Sequence, residues 1–598
     1  MDRLRSIGRV ALALGGIVAI ATGEPSLARA QSGAGLPLPP GSEIVLGPVF
    51  RRDGTSVPSI ATGVNANTYI FSTPPTEAFL NPAPAVAIVT TEPSQFVRFY
   101  TAGITRPVGG FIAGSNAVRG LTPAGVRNVL ALPYLPDSYT IVQVPAGTCM
   151  LVGTAAPITG HFAAKPPSIP TPGPWGSGGV IQNDLIGLSS SPGCANPQFL
   201  PAADYINQQP IGAYALSYRP RAGTGNSFAV AQALDLATPP PLYTDMDSIY
   251  NALDVLNYGD PAPLRSALVQ LDGEVYADVP SVEIAMGQMF LGVLRDQMRL
   301  LRGSDGAQPG GAAATTPAGT DTLREWFSGF GGAGFYNGTG NGHDVNFNGG
   351  GISAGAEYHF NPSLLAGIAL AYARSGFATS GISGDGTLNT FALGLYASYE
   401  QGPGYVDGVL GYTHSAGTVN RSIVFPGVTR FATGSPNGNG FLSNVEAGYH
   451  IPPIEHAVFT PLAALQAIVV GQPAFTESGA GAIDLQVQGD TTASVRSILG
   501  AELGYDMTLG LSAPLRLTGR AGWAYEFAAA NRTVTAGFVG LPGAAFAVSG
   551  APAPRNAGIV GVAAALAVQP ATLFVRYDAT LASGSTIQAG TVGVRVSF

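Results

Sequence analysis

The most constraining feature of the sequence is an alternation of apolar and polar residues that recurs from Trp326 to the last residue. At the C-terminus, four apolar residues share one parity and three polar or small residues share the other: Val592, Val594, Val596 and Phe598 against Gly593, Arg595 and Ser597. A strand with this alternation has one apolar face and one polar face. A soluble edge strand has the same pattern, so a single strand does not decide what surrounds it.

The recurrence of the pattern along the chain decides what surrounds these strands. About twelve segments carry the alternation, each roughly ten to fourteen residues long, the length of a tilted strand that crosses a bilayer. They begin near Arg324, Gly349, Leu364, Thr387, Gly404, Gly440, Val458, Thr492, Pro514, Asn556, Ala571 and Gln588. Tight turns alternate with longer Gly-rich loops, predicted at Gly376–Asp385, Ala416–Asn439, Gly471–Asp490 and Ala528–Arg555. This layout predicts an antiparallel outer-membrane β-barrel of about 12 strands, with the apolar parity facing lipid.

The polar parity of these strands carries charged residues, which we expect to face the barrel lumen. An Arg on the lipid face would cost about 2–4 kcal/mol at the middle of the membrane. The predicted lumen residues are Glu357, Asp407, Glu446, Arg496, Glu502, Arg516, Arg520, Glu526, Arg576 and Arg595.

Leu323–Phe598 resembles the autotransporter β-domain of Gram-negative bacteria, the translocator of type V secretion. The resemblance rests on the strand layout, the terminal aromatic residue and three stretches, Gly519–Glu526, Pro554–Ala557 and Phe574–Asp578. It implies a monomeric barrel in outer-membrane lipid that transports and anchors its own passenger at the cell surface and is not an enzyme. It also implies that the barrel assembly machinery reads Phe598 as an assembly signal.

Pro280–Arg302 is the clearest predicted helix. Pro280 suits its first turn, and Arg295 and Arg299 lie near its C-terminal end, where the helix dipole favours cations. The resemblance implies that this helix fills the pore, so we expect Arg295 and Arg299 to meet lumen carboxylates. A broad apolar surface leaves an amphipathic helix packed outside the barrel as the alternative. Some family members cut themselves at an Asn in this helix, and this helix contains none.

Met1–Ala30 has the features of a secretory signal peptide, with a basic start, a short apolar run and a small-x-small site before Gln31. Export involves the general secretion translocon and periplasmic chaperones. It also places Cys149 and Cys194, the two cysteines of the chain, in an oxidising compartment. We therefore expect a disulfide between them, with two buried thiols or a reactive pair as the alternatives.

The other predicted units are a passenger domain at 31–243, a short helical junction at 244–279 and a flexible linker at 303–322. The passenger is predicted to be a small α+β or β-rich domain. Its predicted strands are Phe96–Tyr100, Tyr139–Val144 and Thr148–Gly153, the last two joined by the turn Pro145–Gly147. Thr122-Pro123 followed by Val126 and Leu130 predicts a short helix.

Composition and motifs exclude several functions. A net charge of −8 gives no electrostatic case for nucleic-acid binding. The passenger has one histidine, His161, and no positioned set of acid, base and nucleophile, so we expect no catalytic residues, no metal site and no cofactor. Two other functions stay open: the same barrel carrying a hydrolytic or NAD-consuming passenger, and a porin-like channel with a periplasmic N-terminal domain.

Overall fold

The computed structural model describes most of the chain. The described residues are 35–44, 49–50, 56–57, 60–62, 78–80, 83–107, 109–158, 174–185, 208–211, 214–257, 260–304, 323–454, 456–509, 513–568 and 570–597. The predicted signal peptide, Cys194, His161, the predicted linker from 305 onward and Phe598 lie outside these residues.

The N-terminal part contains short strands. They are β1 (Glu43–Ile44), β2 (Val49–Phe50), β3 (Ser56–Val57), β4 (Ile60–Thr62), β5 (Pro84–Val89), β6 (Ser94–Tyr100), β7 (Phe111–Ala113), β8 (Ser138–Val144), β9 (Cys149–Thr154), β10 (Ile181–Leu185) and β11 (Gln208–Pro210). Nine of them form one antiparallel sheet in the order β1-β5-β9-β10-β7-β6-β8-β11, with β4 on β5, while β2 and β3 pair separately. The three predicted strands are confirmed as β6, β8 and β9.

This sheet folds over on itself, so that two groups of strands, its two halves, face each other. Strands that follow each other in the chain can belong to different halves. The turn Pro145–Gly147 joins β8 to β9, yet β8 pairs with β6 and β11 whereas β9 pairs with β5 and β10. Apolar side chains from both halves meet in one buried cluster, including Ile88 of β5, Phe96 of β6, Val142 of β8 and Val152 of β9. The inner face of the folded sheet is therefore one core of the N-terminal domain, and a second buried cluster on the other face includes Val97 of β6, Ile141 of β8 and Val126 of α1.

Five α-helices are described: α1 (Pro123–Val129), α2 (Asn226–Leu236), α3 (Asp245–Leu256), α4 (Ala262–Asp272) and α5 (Val275–Ser304). The hydroxyls of Thr122 and Thr244 cap two of these helices, since they accept backbone N–H groups at the starts of α1 and α3. The helix α2 was not predicted. Gly273 ends α4 in the left-handed conformation, with φ of 73°, which a glycine adopts without strain.

The C-terminal strands are β12 (Leu323–Tyr336), β13 (Val345–Asn361), β14 (Leu364–Thr379), β15 (Gly384–Gln401), β16 (Gly404–Phe425), β17 (Val428–Gly434), β18 (Asn437–Tyr449), β19 (Ile451–Ile454), β20 (Ala457–Gln472), β21 (Phe475–Thr476), β22 (Leu485–Val487), β23 (Asp490–Leu509), β24 (Ala513–Glu526), β25 (Thr533–Phe538), β26 (Ala545–Ser549), β27 (Asn556–Val568), β28 (Ala571–Ala582) and β29 (Ser585–Ser597). Twelve of them close into an antiparallel barrel, in the order β12-β13-β14-β15-β16-β18-β20-β23-β24-β27-β28-β29. The predicted starts fall within four residues of the observed ones, the largest difference being Gly349 against Val345.

The barrel closes where its first strand pairs with its last. The β12–β29 ladder runs without a break from Arg324 opposite Ser597 to Tyr336 opposite Ser585. Side chains alternate along the strands between a buried inner face and an exposed outer wall. Large apolar residues such as Leu370, Phe391 and Phe441 stand on the outer wall, as a lipid-facing surface requires.

Two of the four predicted long loops are largely strand. The segment Gly376–Asp385 contains the end of β14 and the start of β15, and Ala416–Asn439 contains the hairpin of β16 and β17. Their Gly-rich sequence hid the alternation. The segments 473–489 and 527–555 do leave the barrel wall, where they contribute a small sheet in the order β21-β22-β25-β26.

The helix α5 lies inside the barrel. It is 30 residues long, so at 1.5 Å per residue it reaches about 45 Å. Its side chains contact strands on several sides of the wall, including β12, β14, β16 and β20, and most of them are buried. The helix begins five residues before the predicted start, so Pro280 lies within it. Pro280 has no N–H and so removes one backbone hydrogen bond, yet the helix continues past it to Ser304.

Glycines on the inner wall make room for this helix. An added Cβ would lie 2.6 Å from Cδ1 of Leu294 at Gly394 and 2.7 Å from Cε of Met289 at Gly332. Real Cβ atoms do not approach so closely, so larger residues at these positions require side chains of α5 to move, and at Gly332 an added Cβ also clashes with the backbone oxygen of Gln588 in β29. In the described part of the chain, no helix is both long and apolar enough to span a membrane.

We predict that Gly394→Leu displaces α5 from the wall. Overpacking of this kind costs about 1–3 kcal/mol, so a smaller fraction of the protein should resist protease within α5 and show the gel shift of a folded barrel. The matched control is Gly519→Leu, because no atom lies within 4 Å of a Cβ added at Gly519. Equal behaviour of the two variants would contradict a tight fit between helix and wall.

Candidate functional site in the barrel lumen

The predicted lumen residues lie on the inward parity of their strands. Seven are buried, namely Glu357, Asp407, Glu446, Arg520, Glu526, Arg576 and Arg595. Three are partly exposed, namely Arg496, Glu502 and Arg516. In α5, the side chains of Arg295 and Arg299 are 8% exposed. The lumen therefore combines charged groups from the wall and from the helix in a space that is largely closed to water.

The strongest contact between helix and wall is the ion pair of Arg299 and Glu446. An Nη2 group of Arg299 donates to both carboxylate oxygens of Glu446 at 2.9 Å. Glu446 is fully buried and also accepts a hydrogen bond from the Tyr405 hydroxyl at 3.1 Å. Glu502 lies 3.7 Å from Nε of Arg299. A charge-assisted pair of this geometry fixes the C-terminal half of α5 against β18.

A second network joins the last strand to α5 and to the first strands. Arg595 pairs with Glu357 at 3.0 Å and donates to the backbone and side-chain oxygens of Gln297 at 2.6 and 2.9 Å. Glu357 in turn accepts from the Tyr396 hydroxyl, which accepts from the indole N–H of Trp326. Strands β12, β13, β15 and β29 and the helix are thus held by one chain of hydrogen bonds around the barrel closure.

A third pair involves Asp296, an acidic residue of α5 that sequence reasoning did not select. Its carboxylate lies 2.6 Å from Nη1 of Arg576, which also pairs with Asp578 at 2.6 Å. The expectation that Arg295 meets a lumen carboxylate stays a prediction. The Nε and Nη1 groups of Arg295 have no hydrogen-bond partner among the described residues, while Arg299 pairs with Glu446 and Arg576 pairs with Asp296.

The remaining lumen residues have local partners. Ser398 donates to Asp407 at 2.7 Å, Arg496 donates to Gln466 at 2.7 Å, and Ser494 donates to Glu526 at 2.5 Å. Arg516 lies 3.7 Å from Asp506, and both side chains are partly exposed. Arg520 lies among the cations Arg295, Arg299 and Arg576 as well as Glu446.

At the end of the barrel where α5 begins, Arg421 of β16 anchors two other segments. It forms a bidentate pair with Glu477 at 2.7 and 2.8 Å and donates to the backbone oxygen of Gln270 in α4 at 2.9 Å. Glu477 also accepts the Tyr276 hydroxyl of α5 at 2.6 Å. This mouth cluster, which sequence reasoning missed, ties a strand, a loop and two helices together. Arg421 is a charged residue within a segment predicted to be a loop, and this is the signal that could have identified the cluster.

Titratable groups between α4 and α5 complete the mouth of the barrel. Asp272 and Glu274 are fully buried, and one carboxylate oxygen of Asp272 has no hydrogen-bond partner among the described residues. Burial, together with the Glu274 carboxylate, raises the pKa of Asp272 to about 8. His343, in the loop between β12 and β13, bonds to Glu274 at 2.8 Å, and that hydrogen bond raises the pKa of His343.

The passenger is held to the junction helices by a buried clasp around Arg119. Arg119 pairs with Asp254 of α3 at 2.6 Å and lies over the rings of Tyr218 and Tyr250 at 5.1 and 4.5 Å. Burial is the largest single effect and lowers the pKa of Arg119, but the Asp254 carboxylate together with Tyr218 and Tyr250 outweighs it, so the pKa is raised. A nearby bond from Asn116 to Asp247 at 2.7 Å makes the clasp a two-point attachment.

Two other predicted sites, the disulfide and the assembly signal, lie partly or wholly outside the described residues. Cys149 is buried at the start of β9, whereas Cys194 lies outside the described residues, so the disulfide stays a prediction. The same holds for the role of Phe598. The described residues contain no group of three or more His, Cys, Asp or Glu side chains that could hold a metal ion.

The comparisons with known proteins concern the barrel. The family model of the autotransporter beta-domain matches residues 326–578. This part of the chain is an autotransporter β-domain. An autotransporter β-domain is an outer-membrane translocator, not an enzyme, and forms a monomeric barrel. No curated protein matches the chain.

Three solved structures resemble the autotransporter β-domain and its surroundings. They are the translocator domain of NalP from Neisseria meningitidis, the β-domain of the Bordetella autotransporter BrkA and the transport unit of AIDA-I from Escherichia coli. Their sequence identities are 18%, 18% and 15%, and their TM-scores are 0.43, 0.36 and 0.33. The alignments cover 55%, 46% and 49% of this chain and 100%, 100% and 95% of the respective neighbours.

We predict that Arg299→Met destabilises the β-domain, because it leaves the buried carboxylate of Glu446 without a cation. Breaking a buried pair in this way costs about 3–5 kcal/mol. Urea unfolding should show this loss, and conductance in planar bilayers should rise as the end of α5 loosens. Adding Glu446→Gln should restore part of the stability. The control Arg516→Met breaks a partly exposed pair and should cost less than about 1 kcal/mol. A loss in the control as large as that of Arg299→Met would refute the assignment.

We predict that packing of α4 on the barrel mouth weakens as pH rises from about 4 to about 8. An unfolded Asp has a pKa of about 3.9, so in this window unfolding releases the proton that folded Asp272 retains, and stability falls as pH rises. Protonated His343 beside Glu274 has the same sign, because its stabilising contribution is present below about pH 6.5 and is lost above its raised pKa.

Hydrogen exchange of the α4 amides, corrected for the intrinsic rate, measures this dependence. The variant Asp272→Asn should lose most of the decline in protection, because an amide does not titrate. Asp260→Asn is the control, since Asp260 is exposed before the start of the same helix. A wild-type slope in Asp272→Asn would assign the pH dependence to other groups.

Proposed function

We propose that the chain is an autotransporter that displays its own N-terminal domain, residues 31–243, on the cell surface. The observation that supports this is the course of α5 through the closed barrel. The helix begins at the mouth cluster, on the side of the passenger. Its other half contacts Arg595 near the end of β29. The linker after α5 would then return the chain to β12, which starts beside the end of β29.

The contacts of the N-terminal part favour a passenger that stays attached after transport. The clasp of Arg119 joins the passenger sheet to α3, and α4 bonds to Arg421 of the barrel. The helix α5 contains no Asn for self-cleavage of the kind seen in some relatives. The junction of residues 244–279 would therefore serve as a rigid mount between barrel and passenger.

The route to the surface follows from the same proposal. Met1–Ala30 would direct the chain through the general secretion translocon, periplasmic chaperones would keep it unfolded, and the barrel assembly machinery would read Phe598. The lumen residues and the arginines of α5 would then act in anchoring, by holding the helix in the pore after transport.

Epitope accessibility on intact cells tests surface display. An epitope inserted after Glu92, in an exposed passenger turn, should bind antibody on intact cells. An epitope inserted after Gly402, in the exposed turn between β15 and β16, should bind only after the outer membrane is permeabilised. If the first epitope also requires permeabilisation, the N-terminal domain is periplasmic and a porin-like channel is the better description.

A further inference from the structure

The passenger contains a cavity that the proposed function does not use. Its volume is about 320 Å³, and it lies between β6, the end of α1 and β10. Small-molecule sites have volumes of about 300–1,000 Å³ and are lined mostly by apolar and aromatic groups with a few polar ones. The aromatic lining here includes Tyr100, Phe111, Tyr134 and Trp175. The cavity thus has the size and the walls of a site for a small, largely apolar molecule.

Arg98 is the one charged residue among the described residues that line the cavity. Its Nε donates to the backbone oxygen of Arg106 at 3.2 Å, and its Nη1 donates to that of Phe111 at 2.9 Å. These bonds use two of the five N–H groups of a guanidinium and hold its plane in place. No described carboxylate pairs with it, and burial therefore lowers the pKa of Arg98 without an opposing anion.

Two other polar side chains of the lining are engaged with backbone oxygens. Gln182 donates to the backbone oxygen of Ala78 at 2.5 Å, and Thr101 donates to that of Leu135 at 2.9 Å. Arg98 supplies the charged donors of the site, because two of its N–H groups are used by the bonds to Arg106 and Phe111 and the others remain. A half-buried cation without a protein anion, set in apolar walls, favours a ligand with one anionic group and an apolar body.

A glycine keeps the guanidinium in this position. A Cβ added at Gly109 would lie 2.5 Å from both Cζ and Nη2 of Arg98. A side chain there would force the guanidinium to move, so the close approach of this backbone is part of how the cation is placed.

We propose that this cavity binds a small molecule with one carboxylate and an aromatic or other apolar body, its carboxylate on Arg98 and its body against the aromatic walls. The planar guanidinium matches the two oxygens of a carboxylate. The passenger is then a binding domain for aryl or alkyl carboxylates. Binding is independent of where the passenger is displayed, so a failed binding test leaves the proposed function standing.

Calorimetry on the full-length protein in lipid nanodiscs tests the proposal with 4-phenylbutyrate as the probe and 4-phenylbutyramide as its neutral analogue. A hydrogen-bonded charge is worth about 10- to 100-fold in affinity. We expect the wild-type protein to bind the acid more tightly than the amide by about that factor. Arg98→Met should remove this preference and Arg98→Lys should keep part of it, while Gly109→Ala should weaken binding of the acid.

The matched control is Arg106→Met. Arg106 is exposed and offers its backbone oxygen to Arg98, so loss of its side chain should leave the affinity for the acid unchanged. Absence of binding of the acid at millimolar concentration would overturn the proposal. So would equal binding of acid and amide by the wild-type protein, a comparison that holds even if Arg98→Met fails to fold. Unchanged preference in a folded Arg98→Met would overturn the role of Arg98.

Discussion

The structure depends on one constraint, which is that lipid offers no hydrogen-bond partner to a peptide group. A sheet in a membrane must therefore pair every edge with another strand. Here the requirement is met by the ladder of β12 and β29, which joins the two ends of the barrel sheet. Closure gives each strand one wall toward lipid and one toward the lumen, and the alternation in the sequence follows from that division.

The lumen is a second buried interior, which differs from an ordinary apolar core because it contains paired charges. Its wall provides arginines and carboxylates that would be costly in lipid, and α5 provides Arg299, Asp296 and Gln297 to pair with them. Glycines such as Gly394 let the apolar side of the helix approach the wall. The helix is thus held by charge near its C-terminal end and by close packing along its length. Arg295 and Arg520 keep donors without protein partners among the described residues, which leaves the lumen richer in positive charge than its pairs require.

Much of the barrel could be predicted because its rule is local. A period of two residues locates a strand and assigns its faces, and charges such as Arg595 and Glu357 were assigned to the lumen on that ground. The pairing partners could not be predicted, since they depend on the stagger between strands and on the rotation of α5.

The topology of the passenger sheet could not be predicted for a related reason, because β8 and β9 follow each other in the chain yet belong to different halves of the sheet. The helix α2 was missed because it buries polar residues, Asn226 and Ser227, beside its apolar ones. The side-chain amide of Asn226 donates to the backbone oxygen of Ser549 in β26, and no local sequence pattern predicts such a contact.

The occupied lumen has a consequence for stoichiometry. A pore filled by a covalently attached helix, with wall glycines matched to that helix, has no room for a second polypeptide. If the chain displays its own N-terminal domain as proposed, such a translocator would complete one transport event and then remain in the membrane. Under that proposal the number of displayed domains on a cell would rise only with the number of barrels made, so their surface density would be set by synthesis and assembly and not by a turnover rate.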